Sequence, residues 1–216
     1  GDGASWFDRR EAAQLAQDCG LHSEVVRLWR TVIPPDDVGS DTVHLVRAAY
    51  FAGEWRTVLD VCATVRAAGR TTRWHLEVEV EVLSESRELP RATSLLTDWV
   101  AKHPNDKHAV LNLSVLALLD GRPELAVSDE SRLPTVSEVK HPGEGAALVF
   151  VLRRGPTPER SLEVAYALYR RFPEHPDSHR ALVACVFDPS ASPLAIERHQ
   201  QVGDGAAVYV RRHDEP

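Results

Sequence analysis

Apolar residues recur three and four positions apart along most of the chain, which is the spacing of an amphipathic helix. The pattern predicts helices over 8–19, 23–33, 41–52, 55–68, 72–86, 90–102, 106–120, 145–154, 158–172 and 177–187, with weaker ones near 123–130 and 193–200. Punctuation agrees with these limits. Ser23 suits an N-cap, and Pro90 suits a first helical turn. Pro34-Pro35 stops the second helix, and Gly69 closes the fourth. Two stretches resist. His75 to Leu83 alternates apolar and polar strictly, and that period taken alone is a half-buried strand. Residues 128–145 hold Pro134, Pro142, Gly143 and Gly145, and read as a loop or an irregular insertion.

The helical runs repeat. Each first run ends at a turn slot, occupied in order by Gly20, Gly53, Arg87, Gly121, Pro156 and Ser190, spaced 33, 34, 34, 35 and 34 residues apart. Seven residues before each turn stand Ala13, Val46, Val80, Ser114, Val149 and Val183. Four before stand Ala16, Ala49, Leu83, Ala117, Leu152 and Val186. All are small or apolar. Five after the turn stand Val25, Val58, Ala92, Ala126, Ser161 and Ala195. The expected architecture is a stack of two-helix hairpins, each burying its apolar face against the next. That register makes 75–83 helical, with Leu76, Val80 and Leu83 on the packed face.

The unit resembles the tetratricopeptide repeat, a helix–turn–helix module of 34 residues. Gly53-Glu54-Trp55 places an aromatic two residues after the turn glycine, and Pro104 and Pro173 fall where the family closes its second helix. The family's Trp near the start of the first helix is replaced by Thr42, Leu76 and Val110, so these are divergent repeats. The resemblance implies an all-α, right-handed superhelix over 7–200, with a weak break near 128–145. Residues 1–6 read as a linker. Residues 201–216 read as a tail or the start of a following domain, and Ala206 to Val210 has the character of a short β-strand. The resemblance also implies a concave groove lined by the first helices, which takes a peptide or a helix. Its exposed slots fall on Arg10, Gln14, Arg47, Tyr50, Phe51, Trp74, Glu77, Glu81, His108, Phe150, Arg153 and Arg180. Arg47 beside Tyr50 and Phe51 is the leading element, because Arg and aromatics dominate binding hot spots. Leu111, Val115 and Leu118 read first as packing residues.

Composition narrows the function. The net charge is −7, which disfavours a generic nucleic-acid surface. An RNA-reading helical repeat is the alternative, opposed further by the acidic stripe Glu77, Glu81, Glu85. No run of about 18 apolar residues occurs. The three cysteines, Cys19, Cys62 and Cys185, show no zinc or disulfide spacing, and a reducing, cytoplasmic setting is expected. No phosphate-loop, dinucleotide, zincin or nucleophile-elbow motif appears. Ten histidines include the pairs His175/His179 and His103/His108, but a metal needs three or four converging ligands. No cofactor and no catalysis are expected of the chain itself. The absence of Met and the bias of 22 Arg to three Lys point to an internal segment of a larger bacterial protein. Its catalytic part, if there is one, would lie elsewhere. The expected role is an interaction scaffold, binding a protein or peptide partner or another domain of its own chain.

Overall fold

A computed structural model of the chain describes residues 6–33, 39, 41–155 and 158–187. The described residues form α-helices and short 3-10 turns, with no strand among them. The helices are α1 (Trp6–Asp18), α2 (His22–Val32), α3 (Thr42–Phe51), α4 (Trp55–Ala67), α5 (Arg73–Glu85), α6 (Leu89–Lys102), α7 (Lys107–Leu119), α8 (Pro142–Arg154), α9 (Pro158–Arg171) and α10 (Pro176–Val186). The chain divides into two compact units, Gly1–Leu96 and Thr97–Pro216, with the boundary inside α6. In the first unit α1 packs on α2, α2 on α3, α3 on α4 and α4 on α5. In the second α7 packs on α8, α8 on α9, and α10 on both α8 and α9.

The repeat register has a backbone cause. Gly20, Gly53, Arg87 and Gly121 all adopt left-handed backbone, with φ of 70°, 72°, 61° and 72°. Each ends a first helix, and the next residue's N–H returns to a carbonyl five residues back. Leu21 reaches Ala16 at 2.9 Å, Glu54 reaches Ala49 at 2.8 Å, Glu88 reaches Leu83 at 2.8 Å and Arg122 reaches Ala117 at 2.8 Å. This is the Schellman closure, which satisfies carbonyls that a helix end leaves open. Glycine takes the conformation without steric cost; Arg87 does not.

The small-residue slots are the helix contacts. Ala13, Val46, Ser114 and Val149 are at most 1% exposed, as are Ala49, Leu83, Ala117, Val25, Val58 and Ala92. Trp29 on α2 anchors the first unit's core and stacks on His44 of α3, centroids 5.2 Å apart. In the second unit Gly145 lets α8 approach α9, because a Cβ there would fall 2.2 Å from Leu168 Cδ1. Within α10 the pattern weakens, for Val183 is 40% exposed.

Of the local expectations, one holds and two change. Residues 75–83 are helical throughout, inside α5, so the stacking register overrides the two-residue alternation. Ser23 lies inside α2 rather than capping it, and Leu21 holds the cap position without a side-chain hydrogen bond. Residues 123–130 do not form a helix. Two short 3-10 turns, Pro123–Leu125 and Glu130–Arg132, replace it, and the chain stays irregular to His141. Pro134 forces Leu133 to extended backbone, ψ 154°. The side chains of Ser114 and Asp129 take up local N–H groups instead. The expected helix near 193–200 and the strand near 206–210 lie outside the described residues.

Candidate interaction face

In the first unit two polar bridges tie the first helices together. An Arg10 guanidinium nitrogen donates to Asp41 Oδ1 at 3.2 Å, linking α1 to the residue that caps α3. The Tyr50 hydroxyl donates to Glu81 Oε1 at 2.5 Å, linking α3 to α5. That bond to a carboxylate, with some burial and the Glu81 charge, pushes the Tyr50 pKa up to about 12. Tyr50 and Phe51 meet edge to face at 5.6 Å, and Trp55 meets Tyr50 at 5.7 Å. His22 stacks on Phe51 at 5.2 Å. Phe51 is 57% exposed and Trp55 38%. Arg47 sits one turn earlier on α3, exposed, with no polar partner among the described residues. The result is an open aromatic cluster with an exposed cation at its edge. Such a surface offers stacking, cation–π contact and bidentate carboxylate binding.

Other predicted residues of this unit are turned to their own helices. Gln14 donates to Asp18 at 3.1 Å, and Arg73 takes the Glu77 carboxylate at 2.8 Å. Trp74 is half-buried against the core. In the second unit His108 of α7 contacts Glu144 of α8. Arg154 lies over the Phe150 ring at 4.1 Å, Arg153 is half-buried, and Arg180 pairs with Asp177 at 3.3 Å. These four do not assemble into a cluster comparable to that around Tyr50.

Two features are not among the residues expected from the spacing of the chain: His22, whose ring completes the cluster, and a buried polar group on α5. Glu79 on α5 is 2% exposed and bonds to Arg66 of α4. His75, one turn before, is 4% exposed. Its Nδ1 shares a 2.8 Å bond with the Thr72 hydroxyl, and burial lowers its pKa. His75 Nε2 and Glu79 Oε1 are buried without a partner among the described residues. Burial also pushes the Cys62 thiol up to about 12, and its Sγ lies 3.8 Å from the His75 carbonyl. A helical wheel carries the signal for Glu79, which falls between Leu76 and Leu83 on the packed face, away from Glu77 and Glu81.

Histidines elsewhere close helix ends. His141 Nδ1 accepts from Glu144 N at 3.3 Å, and His175 Nδ1 from Asp177 N at 3.2 Å. Among the described residues no three His, Cys, Asp or Glu side chains are grouped to hold a metal, and no helix is long and apolar enough to cross a membrane. Compared with protein-family models, curated proteins and solved structures, the chain matches none.

Proposed function

We propose that this chain is a non-catalytic interaction module of divergent tetratricopeptide-type hairpins, stacked as a superhelix. It engages a peptide or helix through the α1, α3 and α5 face of the first unit. The observation that carries the reading is Arg47, exposed and without a polar partner among the described residues, one turn from an exposed aromatic cluster. Tyr50 is held there by Glu81, so binding does not have to order it. The left-handed turns, spaced 33, 34 and 34 residues apart, support the repeat assignment. The partner would present a carboxylate to Arg47 and an apolar or aromatic side chain to Phe51 and Trp55. It would be a separate protein or another domain of a larger, bacterial, cytoplasmic parent chain.

The test is affinity capture from source-cell lysate with the wild-type chain and with Arg47→Glu, read by mass spectrometry. Circular dichroism would show that the variant keeps its helices. A protein captured by the wild type and lost with the variant supports the face. Equal capture by both, or capture by neither, counts against it.

A further inference from the structure

The second unit contains a cavity of about 280 Å³, open to solvent on one side, beside the irregular segment that replaces the fourth second-helix. That volume sits at the lower edge of the ~300–1,000 Å³ typical of ligand pockets. Its origin lies in α7. This helix is apolar on nearly every side, with Ala109, Val110, Leu111, Leu113, Leu116 and Ala117 all buried, and such a helix needs cover all round. A second helix would cover it. Two short 3-10 turns cover it incompletely.

The cover is pinned at several points. Val127 N donates to Ser114 Oγ at 3.0 Å, which ties the segment to α7. Arg122 Nε donates to Asp120 at 2.7 Å, and Arg160 pairs with Glu130. Farther along, Lys107 holds Glu138 at 3.0 Å, and Leu133 and Val139 are buried. These ties resist collapse onto the void, so the space is preformed. Its walls are Val100, Val110, Leu113 and Leu125. Ser114 Oγ, the polar atom on the α7 wall, is already satisfied by Val127 N and by the Val110 carbonyl at 2.9 Å. The interior therefore favours an apolar body. Three exposed charged residues line its solvent-facing side, the carboxylates of Glu124 and Asp129 against the guanidinium of Arg132. Hydrogen bonds from Ser131, and to a smaller extent the Arg132 charge, hold the Asp129 carboxyl below its ordinary range.

From this geometry we propose that the cavity binds a small amphipathic amine, with its apolar body against Val110 and Leu113 and its ammonium at Asp129 and Glu124. The charge balance of the lining selects a cation over a neutral molecule or an anion of the same shape.

The test uses the whole chain and three probes of one shape: benzylammonium, benzyl alcohol and benzoate. Backbone amide NMR shifts are followed in each titration. Benzylammonium is expected to shift residues within 97–132, to bind on the order of tenfold tighter than benzyl alcohol, and to outbind benzoate by more. Ala126→Phe fills the space and should abolish all binding. If that variant fails to fold, Asp129→Asn decides, since its amide oxygen can still accept from Ser131 N. It should bring benzylammonium to the level of benzyl alcohol and leave the alcohol unchanged. Absence of localised shifts for any probe up to its solubility limit overturns the site. Equal binding of amine and benzoate overturns the ligand class, as does an unchanged amine preference in Asp129→Asn.

Discussion

The second and fourth repeats begin alike and end differently. Both close their first helix on a glycine at φ 72°. Ala49 and Ala117 are fully buried four residues before that glycine, and Val46 and Ser114 seven before it. In the second repeat the chain then forms the 13-residue α4. In the fourth it makes a three-residue turn, Pro123–Leu125, and stays irregular. The difference shows that turn and helix are specified separately. The turn needs one residue that tolerates left-handed backbone. The helix needs a run free of competitors, and 126–134 lacks one: Ser128, Asp129 and Ser131 offer local hydrogen bonds, and Pro134 bars continuation. α4 carries Val58, Cys62 and Val65 into the core at helical spacing. The fourth repeat has no such stripe, and its first helix is left beside a cavity.

The sharpest way to break this contrast lies in the α4–α5 pair. Arg66→Ala would leave the Glu79 carboxylate, 2% exposed, without its cation. The expected loss is about 2–4 kcal/mol in urea unfolding, somewhat under the fully buried case because Arg66 reaches water. The pair Arg66→Met with Glu79→Gln should recover most of it. If Arg66→Ala is neutral, the pair does not hold α4 on α5.

Next in size are the two turns themselves. Gly53→Ala should cost about 1–2 kcal/mol, since alanine resists left-handed backbone. Gly121→Ala should cost less, because no second helix depends on the direction in which that turn sends the chain. A larger loss at Gly121 would reverse the comparison. The converse change, Arg87→Gly at φ 61°, should stabilise by about 1 kcal/mol, since glycine relieves the strain. All three are read by the shift in urea midpoint.

The smallest effect concerns the face. Tyr50 should titrate near pH 12, followed by NMR of its labelled ring carbon. Glu81→Gln should move it toward the ordinary value of about 10. The folded pKa is raised, so the sign is set. The contribution to stability is whole below the unfolded value and is lost as pH climbs toward about 12. An unchanged titration in Glu81→Gln would remove the α3–α5 bridge.

Helix existence and type were legible because buried slots repeat at helical spacing, and ten of the helices predicted between residues 8 and 187 are present within a few residues of their expected limits. The strand-like run His75 to Leu83 was resolved by register, since Leu76 and Leu83 had to face α5's neighbours. The helix expected near 123–130 does not form, because the period continues through Gly121 while the helical propensity stops. At the face, Arg47, Tyr50 and Phe51 were readable as neighbours one turn apart on a helix. His22 was not, since it comes from another helix and meets Phe51 through the fold.

The sequence alone determined where the helices lie and where the glycine turns at Gly20, Gly53 and Gly121 fall. Those features are local: a spacing of apolar side chains, and one residue tolerant of positive φ. Only the tertiary structure decided which groups share an environment. It buried Glu79 against Arg66, bonded Tyr50 to Glu81 and left a cavity beside α7. Contacts between helices depend on the distances and angles at which they pack, and no spacing along a single helix encodes those.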